Sequence, residues 1–114
     1  MQNPESDMKK VAMITGATSG IGEATARLFA QTGDYKLIIA GRRADRLKEL
    51  KKELKESYGT QVHVLSFDVR DYQRGRAALD SMPEAFRHID ILVNNAGRAT
   101  DLVKFQEGDI RNWD

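Results

Sequence analysis

Three glycines fall within nine residues in the stretch ITGATSGIG, residues 14–22, directly after an apolar run. Glycine adopts backbone conformations that other residues avoid, and it lets another group approach the main chain closely. Where such a loop leads into a helix, unpaired N–H groups and the positive end of the helix dipole bind phosphate. The hydroxyls of Thr18 and Ser19 add hydrogen-bond donors there. The stretch therefore predicts an anion-binding loop.

The alternative reading of these glycines is a flexible spacer. The position of the loop argues against it, because the loop lies between a predicted strand and its helix, where open α/β sheets bind ligands. We expect Gly16 to allow the tight turn that leaves the strand. Gly20 would let a phosphate approach the backbone, and Gly22 would let the helix press against the sheet.

The elements that must position this loop follow from the apolar periodicity. Short apolar runs predict buried strands over residues 11–15, 36–40, 61–67 and 89–93, and helical patterns lie between them over residues 20–31, 44–58 and 71–79. Such alternation is typical of βαβ units, and continuous apolar strands imply a parallel sheet covered on both faces. The predicted fold class is α/β, an open, doubly wound, Rossmann-like parallel sheet.

Two of the predicted helices carry apolar residues at helical spacing. Ile21, Ala24 and Leu28 recur at this spacing in the first helix. The second helix is rich in lysine and glutamate apart from a leucine stripe, which consists of Leu47, Leu50 and Leu54.

Composition excludes several classes of function. The 18 basic and 17 acidic residues give a net charge of +1, so no global field favours nucleic acid or an acidic membrane. There is no cysteine, and neither His63 nor His88 has a partner at metal-ligand spacing, so no metal site is expected. No apolar run approaches the length of a membrane span. We therefore expect a single-domain, soluble, cytoplasmic protein.

The glycine spacing is Gly-x-x-x-Gly-x-Gly and differs from the common dinucleotide fingerprint Gly-x-Gly-x-x-Gly. The stretch TGATSGIG, residues 15–22, resembles the cofactor loop of the short-chain dehydrogenases/reductases. Asp68-Val69 after the third strand and NNAG, residues 94–97, after the fourth match further motifs of that family in order. The resemblance covers about Lys9 to Asp114 and looks closest to the branch of 3-hydroxy acid and serine dehydrogenases.

The resemblance implies roles for individual residues. Asp68 would bind the adenine amine while Val69 offers its N–H, although Asp68 could instead form a turn or cap a helix, for which Asp71 is the better candidate. Asn94 and Ala96 would line the cofactor ribose, and the Asn95 side chain would tie neighbouring strands together. The cofactor-binding residues implied are Thr15, Gly16, Thr18, Ser19, Gly20, Ile21, Gly22, Arg42, Arg43, Asp68, Val69, Asn94, Ala96 and Gly97.

The choice of cofactor depends on the end of the second strand. NAD-binding folds usually place a carboxylate there for the ribose 2′-hydroxyl, whereas an arginine accommodates a 2′-phosphate. This strand ends in Gly41-Arg42-Arg43, and a guanidinium offers bidentate donors that match phosphate. Both arginines could also be ordinary solvated charges. We predict NADP, with Arg42 favoured because Arg43 begins a helix, where a cation is mildly unfavourable.

Hydride transfer to a carbonyl also needs an acid or base for the proton on oxygen. The family uses a Tyr with a Lys four residues later and an upstream Ser. Here the three tyrosines, Tyr35, Tyr58 and Tyr72, are followed at that spacing by Ile39, Val62 and Arg76. No catalytic residue is therefore assigned, and the chain alone is expected to be inactive.

These observations predict a polar, flexible leader over residues 1–8 and a dinucleotide-binding domain over residues 9–114 that is incomplete at its C-terminus. The resemblance implies that the parent protein is a homo-oligomeric NADP-dependent oxidoreductase acting on a small alcohol or carbonyl substrate. Two alternatives stay open. The chain could be a non-catalytic NADP-binding or regulatory module, or a fragment that binds no nucleotide.

Overall fold

The computed structural model describes residues 9–67 and 71–95. Its elements, in chain order, are β1 (Lys10–Thr15), α1 (Gly20–Thr32), β2 (Tyr35–Gly41), α2 (Ala44–Tyr58), β3 (Val62–Ser66), α3 (Tyr72–Asp80), a 3-10 turn (Glu84–Phe86) and β4 (Ile91–Asn94). None of the helices in these ranges is long and apolar enough to cross a membrane.

The described strands form one parallel sheet in the order β3-β2-β1-β4. The chain thus moves outward from β1 to β3 and then crosses back to place β4 on the other side of β1. This reversal of direction beside β1 is the topological switch point of a doubly wound sheet. The predicted Rossmann-like α/β fold is confirmed.

The fourth strand begins two residues later than predicted, at Ile91. Asp90 explains the shift, because its carboxylate Oδ2 accepts the main-chain N–H of Val11 at 2.9 Å while its own N–H donates to the Val11 carbonyl. The Asp90 side chain therefore accepts the Val11 N–H, which a main-chain carbonyl would accept if β4 began earlier. Regular pairing starts one residue later, where Ala12 lies opposite Ile91.

Each face of the sheet has its own apolar core. Helices α1 and α2 cover one face, and the leucine stripe of α2 is buried there as predicted. Residues from α3 and the 3-10 turn cover the other face, where Leu79, Met82 and Phe86 pack on alternate residues of β1, β2 and β3. The two inner strands, β1 and β2, are thus buried on both sides, as expected for a parallel sheet.

The buried face of α1 is not the face that carries its apolar residues at helical spacing. Ile21 is 72% exposed and Leu28 is 63% exposed, and the helix instead buries three small residues, which are Gly22, Ala26 and Ala30. The reason is the close approach of the helix to the glycine loop. A Cβ atom on Gly22 would lie only 2.0 Å from the Gly16 carbonyl oxygen. At that separation only small side chains fit on the inner face.

The helix ends are capped by local side chains and glycines. Asp71 caps α3 by accepting the N–H of Arg74, as predicted. Gly33 and Gly59 end α1 and α2 with φ of 75° and 66°, a left-handed conformation that favours glycine. The described part of the chain is therefore built from elements with well-defined ends.

Candidate functional site

The register of the sheet brings the predicted site residues to one edge. Thr15, the last residue of β1, lies opposite Ala40 of β2 on one side and Asn94 of β4 on the other. The glycine loop, the Gly41-Arg42 turn and the NNAG segment therefore start from adjacent strand ends. In open α/β sheets this carboxyl edge beside the switch point is where ligands bind.

The glycine loop turns the chain from β1 into α1. Gly16 has φ of 63°, and its carbonyl accepts the N–H of Ser19 at 3.1 Å and the Ser19 hydroxyl at 2.7 Å. The Ser19 Oγ also accepts the N–H of Gly22 at 3.0 Å, which makes Ser19 the N-cap of α1. An α-helix leaves its first N–H groups without carbonyl partners. The N–H groups of Gly20 and Ile21, in the first turn of α1, are therefore available to hydrogen-bond an anion.

Two glycines at the start of α1 have different surroundings. A Cβ on Gly22 would collide with the backbone of the loop, as described above. A Cβ on Gly20 would meet nothing within 4 Å. The missing side chain at Gly22 therefore serves packing, whereas the missing side chain at Gly20 keeps the space outside the loop open.

The Thr18 side chain lies across the end of β2. A Cβ on Gly41 would be 3.4 Å from Thr18 Cγ2 and 3.5 Å from its Oγ1. The N–H of Ala17 donates to the Ala40 carbonyl at 3.0 Å and joins the loop to the strand. The Ser19 hydroxyl is used in the cap of α1, whereas the Thr18 hydroxyl lies beside the end of β2. This contact had no signal in the sequence.

Arg42 and Arg43 follow directly, and both are exposed. Arg43 is the N-cap residue of α2, and its side chain makes no capping hydrogen bond. Gly41 contributes no carboxylate at the end of β2, where NAD-binding folds usually place one.

The Thr15 side chain holds β1 and β4 together. It is fully buried, its hydroxyl donates to the Val93 carbonyl at 3.4 Å, and the same oxygen accepts the N–H of Asn95 at 3.3 Å. The expected tie through the Asn95 side chain is not made by its Nδ2 atom, which is buried and has no hydrogen-bond partner among the described residues. The backbone of Asn95 makes the connection instead.

Four predicted site residues lie outside the described residues: Asp68, Val69, Ala96 and Gly97. Asn94 is described, and it is the exposed last residue of β4. The described part of the edge therefore consists of the glycine loop, the Gly41-Arg42-Arg43 turn and the Asn94-Asn95 end of β4.

A family model described as short chain dehydrogenase matches residues 10–114. This chain belongs to the short-chain dehydrogenase family. The family predicted from the three motifs is thus confirmed.

Individual relatives show how far the similarity extends. A protein named sulfoacetaldehyde reductase 2, from Chromohalobacter salexigens, is 46% identical over 106 residues, covering 93% of this chain and 41% of the relative. A serine 3-dehydrogenase from Rhizobium radiobacter is 43% identical over 106 residues, with the same two coverages of 93% and 41%. The chain therefore spans about two fifths of the length of these relatives.

A solved structure shows the same fold. L-sorbose reductase from Gluconobacter frateurii, in complex with NADPH and L-sorbose, superposes with a TM-score of 0.71 at 42% identity. The match covers 78% of this chain and 34% of the reductase chain.

Proposed function

We propose that this chain is the cofactor-binding part of an NADP(H)-dependent oxidoreductase that transfers hydride between nicotinamide and a carbonyl or alcohol carbon. The observation that carries the proposal is the register of β1. By pairing with both Ala40 and Asn94, Thr15 aligns the glycine loop with the two neighbouring strand ends. A dinucleotide laid along this edge would meet the glycine loop, the basic turn and the Asn94-Asn95 end of β4.

The residues present fit the pyrophosphate of a dinucleotide. The first-turn N–H groups of Gly20 and Ile21 lie at the positive end of the α1 dipole. The open space beside Gly20 is the volume that a Cβ atom would otherwise fill. We assign this space to the pyrophosphate, with Gly16 shaping the turn and Ser19 fixing the helix start.

The end of β2 supports NADP over NAD. Gly41 presents no carboxylate to repel a 2′-phosphate, and Arg42 follows it with a planar guanidinium that can bind phosphate through two donors. Thr18 adds a hydroxyl beside Gly41. The solved sorbose reductase, which shares this fold, is described as a complex with NADPH.

The family resemblance assigns the remaining contacts. Asp68 and Val69 are proposed to bind adenine, and Asn94 and Ala96 to line the cofactor ribose, with Gly97 also in the cofactor site. Thr15 contributes through its main chain, because its hydroxyl is used between β1 and β4. When bound, the nicotinamide supplies or accepts the hydride. The names of two relatives, sulfoacetaldehyde reductase 2 and serine 3-dehydrogenase, support small alcohols and carbonyl compounds as the proposed substrates of the whole protein.

Calorimetric titration with NADPH and NADH tests the cofactor assignment on the full 114-residue chain. We expect NADPH to bind more tightly than NADH, and we expect Arg42→Gln to remove most of that preference by weakening NADPH alone. Arg46→Gln is the matched control, since Arg46 is an exposed arginine one turn along in α2. Equal affinity for both cofactors in the unmodified chain would contradict the assignment.

A further inference from the structure

A second candidate site lies at the opposite edge of the sheet, where β1 and β2 begin. A cavity of about 420 Å³ opens there between Lys9, Lys36, Glu84, His88 and Asp90. Strand β1 has six residues, so about 17 Å separates this edge from the glycine loop. The cavity therefore belongs to neither the phosphate loop nor the basic turn.

Lys36 is the most unusual residue of this cavity. Its side chain lines the cavity although the residue is only 5% exposed. The Nζ atom lies 5.8 Å from the centre of the Phe86 ring, and no carboxylate in the described ranges forms an ion pair with it. The Lys36 ammonium group at the cavity wall has hydrogen-bond donors that the contact with the aromatic ring does not satisfy. An anion in the cavity would accept hydrogen bonds from them.

Two acidic residues, Asp90 and Glu84, also line the cavity. Asp90 Oδ2 accepts the Val11 N–H at 2.9 Å, and Asp90 Oδ1 lies 3.6 Å from His88 Nε2. That carboxylate is therefore held by β1 and the histidine. Glu84 is exposed at the start of the 3-10 turn. Two carboxylates beside the cavity repel any anion, and they repel a multiply charged anion most strongly. An anion bound to Lys36 is therefore expected to carry a single charge.

The rest of the lining is apolar. Val11 is buried at the base of β1, and Ala85 lies in the exposed 3-10 turn, so a short hydrocarbon group can contact both. We propose that this cavity binds a small monocarboxylate, with the carboxylate on Lys36 Nζ, Lys9 at the side and the alkyl group against Val11 and Ala85. The carboxylate of such a ligand would pair with the Lys36 ammonium group, and its alkyl group would fill the apolar part of the cavity.

Propionate is the probe, titrated into the full chain at constant ionic strength with chloride as the balancing anion and followed by amide NMR. We expect saturable shifts at the start of β1 and in the 3-10 turn, with a millimolar dissociation constant. Lys36→Met should weaken binding at least tenfold. Lys48→Met, at an exposed lysine of α2, should leave binding unchanged.

A second variant keeps the test decisive if Lys36→Met fails to fold. Ala85→Phe changes an exposed residue and places a ring in the cavity, so it should abolish the propionate shifts while the rest of the spectrum is retained. Inorganic phosphate should compete poorly with propionate. Shifts that rise linearly with propionate, or that persist in Ala85→Phe, would overturn the proposal.

Discussion

A Cβ atom on Gly22 would lie 2.0 Å from the carbonyl oxygen of Gly16, a distance that no packed side chain can occupy. Helix α1 thus begins directly against the turn that leaves β1. This close approach positions the first-turn N–H groups at the carboxyl edge of the sheet, and it limits the inner face of α1 to small residues.

Replacing Gly22 with alanine should destabilise the fold. The added methyl group meets backbone atoms, which cannot move aside as a flexible side chain can, so we expect a loss of about 3 kcal/mol in the free energy of unfolding. Urea denaturation of the variant and the unmodified chain measures this loss. A midpoint unchanged by the substitution would mean that the helix does not press on the loop.

Replacing Gly20 with alanine should separate binding from stability. The methyl group enters open space, so the free energy of unfolding should stay the same or rise by about 0.5 kcal/mol through reduced freedom of the unfolded chain. NADPH affinity should fall at least about tenfold, a loss of about 1.4 kcal/mol, because the methyl group occupies the proposed pyrophosphate space. Calorimetry and urea denaturation of the same sample give both values. Undiminished NADPH affinity would place the pyrophosphate elsewhere.

Replacing Thr15 with valine should weaken the connection between β1 and β4. The change keeps the shape of the buried side chain but removes the oxygen that accepts the Asn95 N–H. A donor left without its partner typically costs about 1 to 3 kcal/mol. Hydrogen exchange at the Asn95 amide should accelerate along with the loss of stability. Thr15→Ser retains the hydroxyl and should protect that amide nearly as well as the original residue.

Acid should destabilise the fold through His63. Burial lowers the pKa of His63, with a smaller contribution from the nearby charge of Lys51, and the ring stacks on Phe86 with centroids 5.5 Å apart. The native histidine stays neutral at a pH where the unfolded one, with an ordinary pKa of about 6.5, takes up a proton. Stability should therefore fall as the pH drops through about 6.5, and should level off below the lowered native pKa. His63→Leu should flatten that decline in urea denaturation between pH 7 and pH 5, and a decline of unchanged steepness would exclude His63 as its source.

Much of the candidate site could be predicted from short stretches of sequence. The spacing of Gly16, Gly20 and Gly22 after an apolar run indicates a phosphate loop because backbone freedom and helix polarity are local properties. The Gly41-Arg42 pair indicates the cofactor class for the same reason, since the relevant charge lies directly at the strand end. The roles of Thr18 and Asn95 could not be predicted in this way, because they depend on contacts between strands distant in the sequence.

The sequence by itself determined the alternation of strands and helices, the parallel sheet, the loop chemistry and the family. Only the tertiary structure decided which face of α1 is buried, which side chain joins β1 to β4, and that the buried residue Lys36 has no ion pair with a carboxylate in the described part of the chain. The spacing of apolar residues indicates how hydrophobic one face of a helix is. It does not show how closely the backbone approaches its neighbour. At Gly22 that distance leaves no room for a side chain, whereas Ile21 and Leu28 lie on the exposed side of α1.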